Sequence, residues 1–203
     1  MKKLLCSFLS LLFLLSLSSC AFVDRLKGDM GKLGYDENNN LLYNGNSYYM
    51  ADLGFQVRSA TDDEIIDLGW YSQFPIFPDM HFYAFEADNP LFIFCENSPQ
   101  SPYTKGLFAR SDYDLYSALY TIEDTDIEIT LSSAMSKSDV ERSAIQHESY
   151  LYLDIYLKDD PRIQICVSGP YKHNGSWFIL DRDVFVLNDE FVLQLKAAGI
   201  IDE

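Results

Sequence analysis

Two Asn-Gly dipeptides, each set between strand-like flanks, constrain this chain more than any other feature. Asn44-Gly45 separates LLY from SYYM, and Asn174-Gly175 separates YKH from SWFIL. A two-residue hairpin needs positive φ at both central positions, which Asn and Gly tolerate, so each dipeptide predicts a tight antiparallel hairpin. Further short runs follow the same rule. Residues 64–71, 80–87 and 91–96 read as strands, with a Phe-Pro-rich bend at 74–78 and a turn at Asp88-Asn89-Pro90. Residues 126–131 alternate, with Ile127, Ile129 and Leu131 opposite Asp126, Glu128 and Thr130. Residues 149–157 alternate too, setting Leu151, Leu153, Ile155 and Leu157 against Tyr150, Tyr152, Asp154 and Tyr156. Asp159-Asp160-Pro161 then turns the chain into a strand over 162–168. Many short runs divided by turns predict mainly antiparallel sheet.

Helices are expected to be few. Ser138-Asp139-Val140-Glu141 has the form of a capping box and predicts a short helix to about Gln146. At the C-terminus Asn188 suits a cap, Asp189 and Glu190 suit the first turn, and Gly199 suits the stop. Residues 111–122 fit a helix nearly as well as a strand, with strand slightly favoured. The fold class expected is therefore α+β, strand-rich, with short helices including a C-terminal one. One domain over 36–203 is preferred to two strand-rich halves meeting near Asp124.

The first twenty residues, MKKLLCSFLSLLFLLSLSSC, form a different kind of segment. Lys2 and Lys3 precede an apolar run over 4–17, which is shorter than the roughly 20 residues a bilayer core about 30 Å thick requires. A positive start, a short apolar stretch and small residues at its end make an export leader, no part of the fold. Leu17-Ser18-Ser19-Cys20 resembles the lipobox of bacterial lipoproteins. That resemblance implies cleavage before Cys20, a diacylglycerol on its sulfur, and attachment to the outer side of the cytoplasmic membrane. Residues 1–19 are then signal peptide and 20–35 a lipidated tether. The stretches GWYSQFP, FYAF and DNPLFIF, with NGSWFIL and EFVLQL, resemble uncharacterised lipoproteins of low-GC Gram-positive bacteria. That likeness implies anchoring and carries no activity with it.

Charge narrows the partners. Thirty-one acids face 15 Lys and Arg, a formal net charge of −16 that loss of Lys2 and Lys3 makes more negative still. Such a surface repels nucleic acid and anionic headgroups and attracts cations or a basic protein. The 14 Tyr and 14 Phe imply a packed core.

Of the remaining cysteines, Cys95 and Cys166 lie in FIFCE and IQICV. An oxidising compartment permits a disulfide between them, but alternation gives them different surroundings, which favours two separately buried thiols. His81, His147 and His173 are isolated in sequence, and no metal or triad spacing includes them. Asp36, Asn38 and Asn40 begin like a calcium loop, but Leu41 and Ser47 stand where glycine and glutamate are required. No metal site, cofactor or catalytic residue is therefore assigned. Binding is better signalled: Tyr150, Tyr152 and Tyr156 with Asp154 share the polar face of one strand, and Tyr offers a flat apolar ring with a polar tip. The expected role is an anchored binding module for a protein, peptide or glycan. The alternatives are an inhibitor or immunity-type protein masking a basic partner, and a hydrolase whose site forms only in three dimensions.

Overall fold

The computed structural model describes residues 33–58, 60–61, 63–71, 80–96, 106–145 and 151–202. The leader, Cys20, the bend at 74–78, His147 and Tyr150 lie outside the described residues. Two curled antiparallel sheets and a C-terminal helix make up the fold. The first sheet contains β1 (Leu33–Tyr35), β2 (Leu41–Tyr43), β3 (Asn46–Met50), β5 (Ile66–Tyr71), β6 (Met80–Ala84), β7 (Phe92–Glu96) and β8 (Gly106–Arg110). Its order is β1-β2-β3-β8-β7-β6-β5. The second contains β9 (Leu119–Ile122), β10 (Glu128–Thr130), β11 (Met135–Lys137), β12 (Tyr152–Leu157), β13 (Ile163–His173), β14 (Ser176–Leu180) and β15 (Val184–Leu187). Its order is β10-β9-β12-β13-β14-β15-β11, and β4 (Phe55–Val57) adds to β13.

Both expected hairpins are present. Asn44 and Gly45 have φ of 48° and 80°, Asn174 and Gly175 have 49° and 84°, and the flanking residues pair Tyr43 with Asn46 and His173 with Ser176. These are the paired positive values a type I′ turn requires. β1 draws Leu33–Tyr35 into the sheet, where Leu33 pairs with Tyr43, so structure begins ahead of the Asp36 boundary expected from sequence.

Strand alternation decides what each sheet buries. Leu153, Ile155 and Leu157 of β12, Ile163, Ile165 and Val167 of β13, and Ile127, Ile129 and Leu131 all enter one core. Tyr83, Phe92, Phe94 and Leu107 of the first sheet enter the same core. The opposite face of the first sheet is also buried: Phe82, Ile93, Cys95 and Phe108 pack with Leu41, Tyr48 and Leu68 inside its curl. With both faces covered, β7 is buried at every position, and FIFC reads as an unbroken apolar run. Each fully buried Phe or Leu contributes about 1.5–3 kcal/mol of transfer free energy, so two-sided burial stabilises this sheet strongly.

A third, smaller cluster explains where sequence reasoning failed. The helix expected over 138–146 is only a single 3-10 turn, Arg142–Ala144. Ser138 Oγ accepts from Val140 N at 3.2 Å, an arrangement that does not make a capping box. Val140 and Ile145 instead pack on Tyr171, Phe178, Leu180 and Val184, covering the outer face of the second sheet. Burying those two side chains against a sheet outweighs the weak helical preference of a short segment. Residues 111–122 form turns leading into β9, and Leu151, expected inward, lies before β12 and is exposed.

The C-terminal helix forms as expected. α1 (Leu131–Ala134) is a single turn, whereas α2 (Asp189–Ala197) buries Phe191, Val192 and Leu195 in the shared core. Asn188 Oδ1 accepts from Phe191 N at 2.7 Å, and Asn188 Nδ2 donates to Ser133 O. At the other end Gly199 has φ +71°, and Gly199 N and Ile200 N bond Lys196 O and Leu195 O, a Schellman stop. Asn188→Ala is expected to cost about 1–2 kcal/mol in urea unfolding, because it removes both the cap and the link to α1. Asn188→Asp keeps the acceptor and should lose less. Equal losses would show that the cap contributes nothing.

Candidate functional site

The expected tyrosine face is divided by its neighbours. Across β12 and β13 Tyr152 faces Ser168, Asp154 faces Cys166 and Tyr156 faces Gln164. Tyr152 is 62% exposed. Tyr156 is buried beneath Arg58, whose guanidinium carbon stands 5.0 Å from the ring centroid and whose Nη1 donates to the phenol oxygen. The same Nη1 lies 3.3 Å from Glu123 Oε1. Burial, helped by Glu123, pushes the Tyr156 phenol up to about 12. Its ring and hydroxyl are engaged within the fold, and Asp154 is half-buried and bonded to Cys166, so of the expected residues that are described only Tyr152 stands open on that face.

The two cysteines form no disulfide. Cys95 lies inside the curl of the first sheet and Cys166 on the outer face of the second, and both remain thiols. Burial pushes Cys95 up to about 12. Burial and then Asp154 raise Cys166 to about 11. Both shifts disfavour the thiolate, which is the nucleophilic form of a cysteine.

Other polar groups are also accounted for locally. Asp36 accepts from Asn38 N, Asn40 N and Asn40 Nδ2 at 2.8, 2.9 and 3.0 Å, so the calcium-like start is a self-bonded turn. His81 Nε2 is 3.4 Å from Asp67, and its Nδ1 is 2.9 Å from the Tyr83 hydroxyl. Glu96, cross-strand from His81, is 2% exposed and its Oε1 has no hydrogen-bond partner. Burial pushes its carboxyl up to about 7. Among the described residues no three His, Cys, Asp or Glu side chains converge as metal ligands.

A hollow suited to a ligand lies elsewhere, where the linker from β3 to β4, the turns before β9, α1, β11 and β15 meet. It measures ≈ 530 Å³, within the range of small-molecule and peptide side-chain sites. Tyr116 and Phe185 supply aromatic surface, with Leu53, Leu131 and Met135 beside them. Asp52, Lys137 and Asp183 also line it. Tyr116 is held from several sides. Its oxygen accepts from Asp52 N at 2.5 Å and Leu53 N at 3.4 Å, its carbonyl accepts from Ser132 N at 3.0 Å, and its ring meets Phe55 edge-on at 6.1 Å. Lys137 Nζ lies 2.6 Å from Asp183 Oδ2. This is a braced aromatic wall with both signs of charge beside it.

Sequence reasoning singled out neither Tyr116 nor Phe185. Tyr116 sits in the stretch where strand was only slightly favoured over helix, and Phe185 is one apolar residue in an ordinary strand. The five segments meet only through tertiary pairing, so no local pattern marks the hollow. No protein-family model, curated protein or solved structure matches this chain.

Proposed function

We propose that this chain is a lipoprotein, anchored through Cys20 on the outer side of the cytoplasmic membrane, that acts by binding. The leader supports the address: two lysines, a short apolar run and Leu17-Ser18-Ser19-Cys20. The hollow beside Tyr116 and Phe185 carries the binding reading. An aromatic wall with carboxylates and an ammonium nearby suits a glycan or a peptide side chain, whose apolar faces stack while its polar groups bond at the rim.

Cys20→Ser should release the protein from membranes, because one terminal lipid group is then the whole anchor. Unchanged fractionation with membranes would remove the anchoring reading. For binding, the full chain in detergent micelles is melted with cell-wall fragments, glycans and short peptides. A ligand at about a hundred times its Kd stabilises the fold by about 2.7 kcal/mol. Phe185→Ala should abolish that shift and Tyr152→Ala should leave it intact. The reverse pattern would move the site to β12, and no shift with any probe would overturn the small-ligand reading.

A further inference from the structure

A second surface lies along the edge of the second sheet, beyond α1 from the hollow. β10 ends the strand order, paired only with β9 among the described residues. Two openings of ≈ 880 and ≈ 230 Å³ border it, and they share Glu128 and Gln194. The strand side carries Asp124, Asp126 and Glu128, and the helix side carries Gln194, Ala197 and Ala198 of α2 and its cap. Together they form one groove between a free strand edge and a helix.

The hydrogen-bond pattern shows which backbone groups face that groove. Ile122 N donates to Ile127 O, while Glu123 N bonds Asp154 O and Lys158 N bonds Leu119 O across β12. Residues 120 and 122 therefore face β10, and residues 119, 121 and 123 face β12. By antiparallel alternation Ile127 and Ile129 pair with β9, whereas the N–H and C=O of Glu128 and the N–H of Thr130 point outward. Ala197 and its neighbour Ala198 border the ≈ 880 Å³ opening opposite Asp124 to Glu128, where their small side chains leave space beside the strand. Charge selects its chemistry. Glu128 is paired with Lys158, but no cation among the described residues pairs with Asp124 or Asp126.

We infer that an extended, basic segment of a partner protein adds to β10 as a further strand, its backbone bonding Glu128 and Thr130. Its lysine or arginine side chains meet Asp124 and Asp126, and its alternate side chains lie against Ala197 and Ala198. Main-chain pairing supplies affinity and the alternating side chains supply selectivity. This goes beyond the hollow and shares with it only the reading that the domain binds.

The test uses the full chain in detergent micelles and a fluorescent hexapeptide of alternating lysine and valine, read by anisotropy. A second copy of the peptide carries N-methyl groups on alternate amides, which remove backbone donors and leave its charge intact. Methylation should weaken binding at least about tenfold, the loss expected for one or two net hydrogen bonds. Asp124→Asn with Asp126→Asn should weaken the unmodified peptide comparably and flatten its salt dependence. Phe185→Ala should change nothing, which separates this groove from the hollow. Equal binding of both peptides would reduce the interaction to nonspecific charge attraction and overturn strand addition. Absence of binding to the native protein, or undiminished binding to the double variant, would overturn it as well.

Discussion

Glu96→Gln is expected to stabilise the protein by about 3 kcal/mol at pH 8 and to change little at pH 4. Glu96 is the one charged side chain buried among the described residues, and its Oε1 has no partner. Desolvation raises its carboxyl from 4.5 to about 7. The folded state therefore holds this proton more tightly than the unfolded chain. Below about pH 4.5 both states are protonated and the residue carries no ionic penalty. As pH rises from 4.5 to 7 the unfolded chain ionises freely and the folded one resists, so stability falls, and the penalty is complete above that window. Glutamine has nearly the same shape and no charge to desolvate. Urea unfolding of both proteins at pH 4, 6 and 8 reads the difference directly. Parallel stability profiles would show that Glu96 is solvated or paired in solution.

Gly169→Ala is expected to cost at least about 3 kcal/mol, by adding backbone strain to a steric clash. Gly169 has φ +125°, and a Cβ there would stand 2.9 Å from Phe178 O and 3.3 Å from Ile179 Cα. Backbone atoms of a paired strand cannot yield as a side-chain tip can. The register of β13 against β14 shifts between Ser168 and Tyr171. Through that shift Val167 points into the shared core while Tyr171 points into the outer cluster. Gly175→Ala is the natural comparison: its φ is +84° but nothing lies within 4 Å of the new methyl group, so only about 1 kcal/mol is expected. Equal losses at the two positions would mean that β14 gives way and the close approach is unimportant.

Sequence legibility followed the range of the interactions. Asn44-Gly45, Asn174-Gly175 and the capped C-terminal helix depend on neighbours a few residues away, and each was readable. The alternation of 151–157 correctly assigned Leu153, Ile155 and Leu157 inward and Tyr152 outward. The burial of Tyr156 was not readable, because Arg58 approaches it from just past β4, about a hundred residues earlier. The segment 138–145 misled for the same reason: Ser138-Asp139-Val140-Glu141 has the local form of a capping box, and only the distant outer face of β14 and β15 makes Val140 and Ile145 a cover. Tyr116 and Phe185 meet through five separate segments, a convergence that no local pattern encodes.

The position of β4 bears on how the chain is made. Phe55, Gln56 and Val57 pair with Ile165, Gln164 and Ile163, although the strands before and after β4 belong to the other sheet. Farther along, β14 takes over on β13, and Asp181 Oδ2 accepts from Gly54 N at 2.6 Å just ahead of β4. A chain emerging from its N-terminus presents β4 long before its partner exists. Phe55, which ends almost fully covered, must wait through about a hundred residues of synthesis for the strand that shelters it. Closing so long a loop is entropically costly and slow. A nascent chain stalled before Ile163 would expose this strand to proteases and chaperones, and arrival of β13 would remove that exposure in a single step.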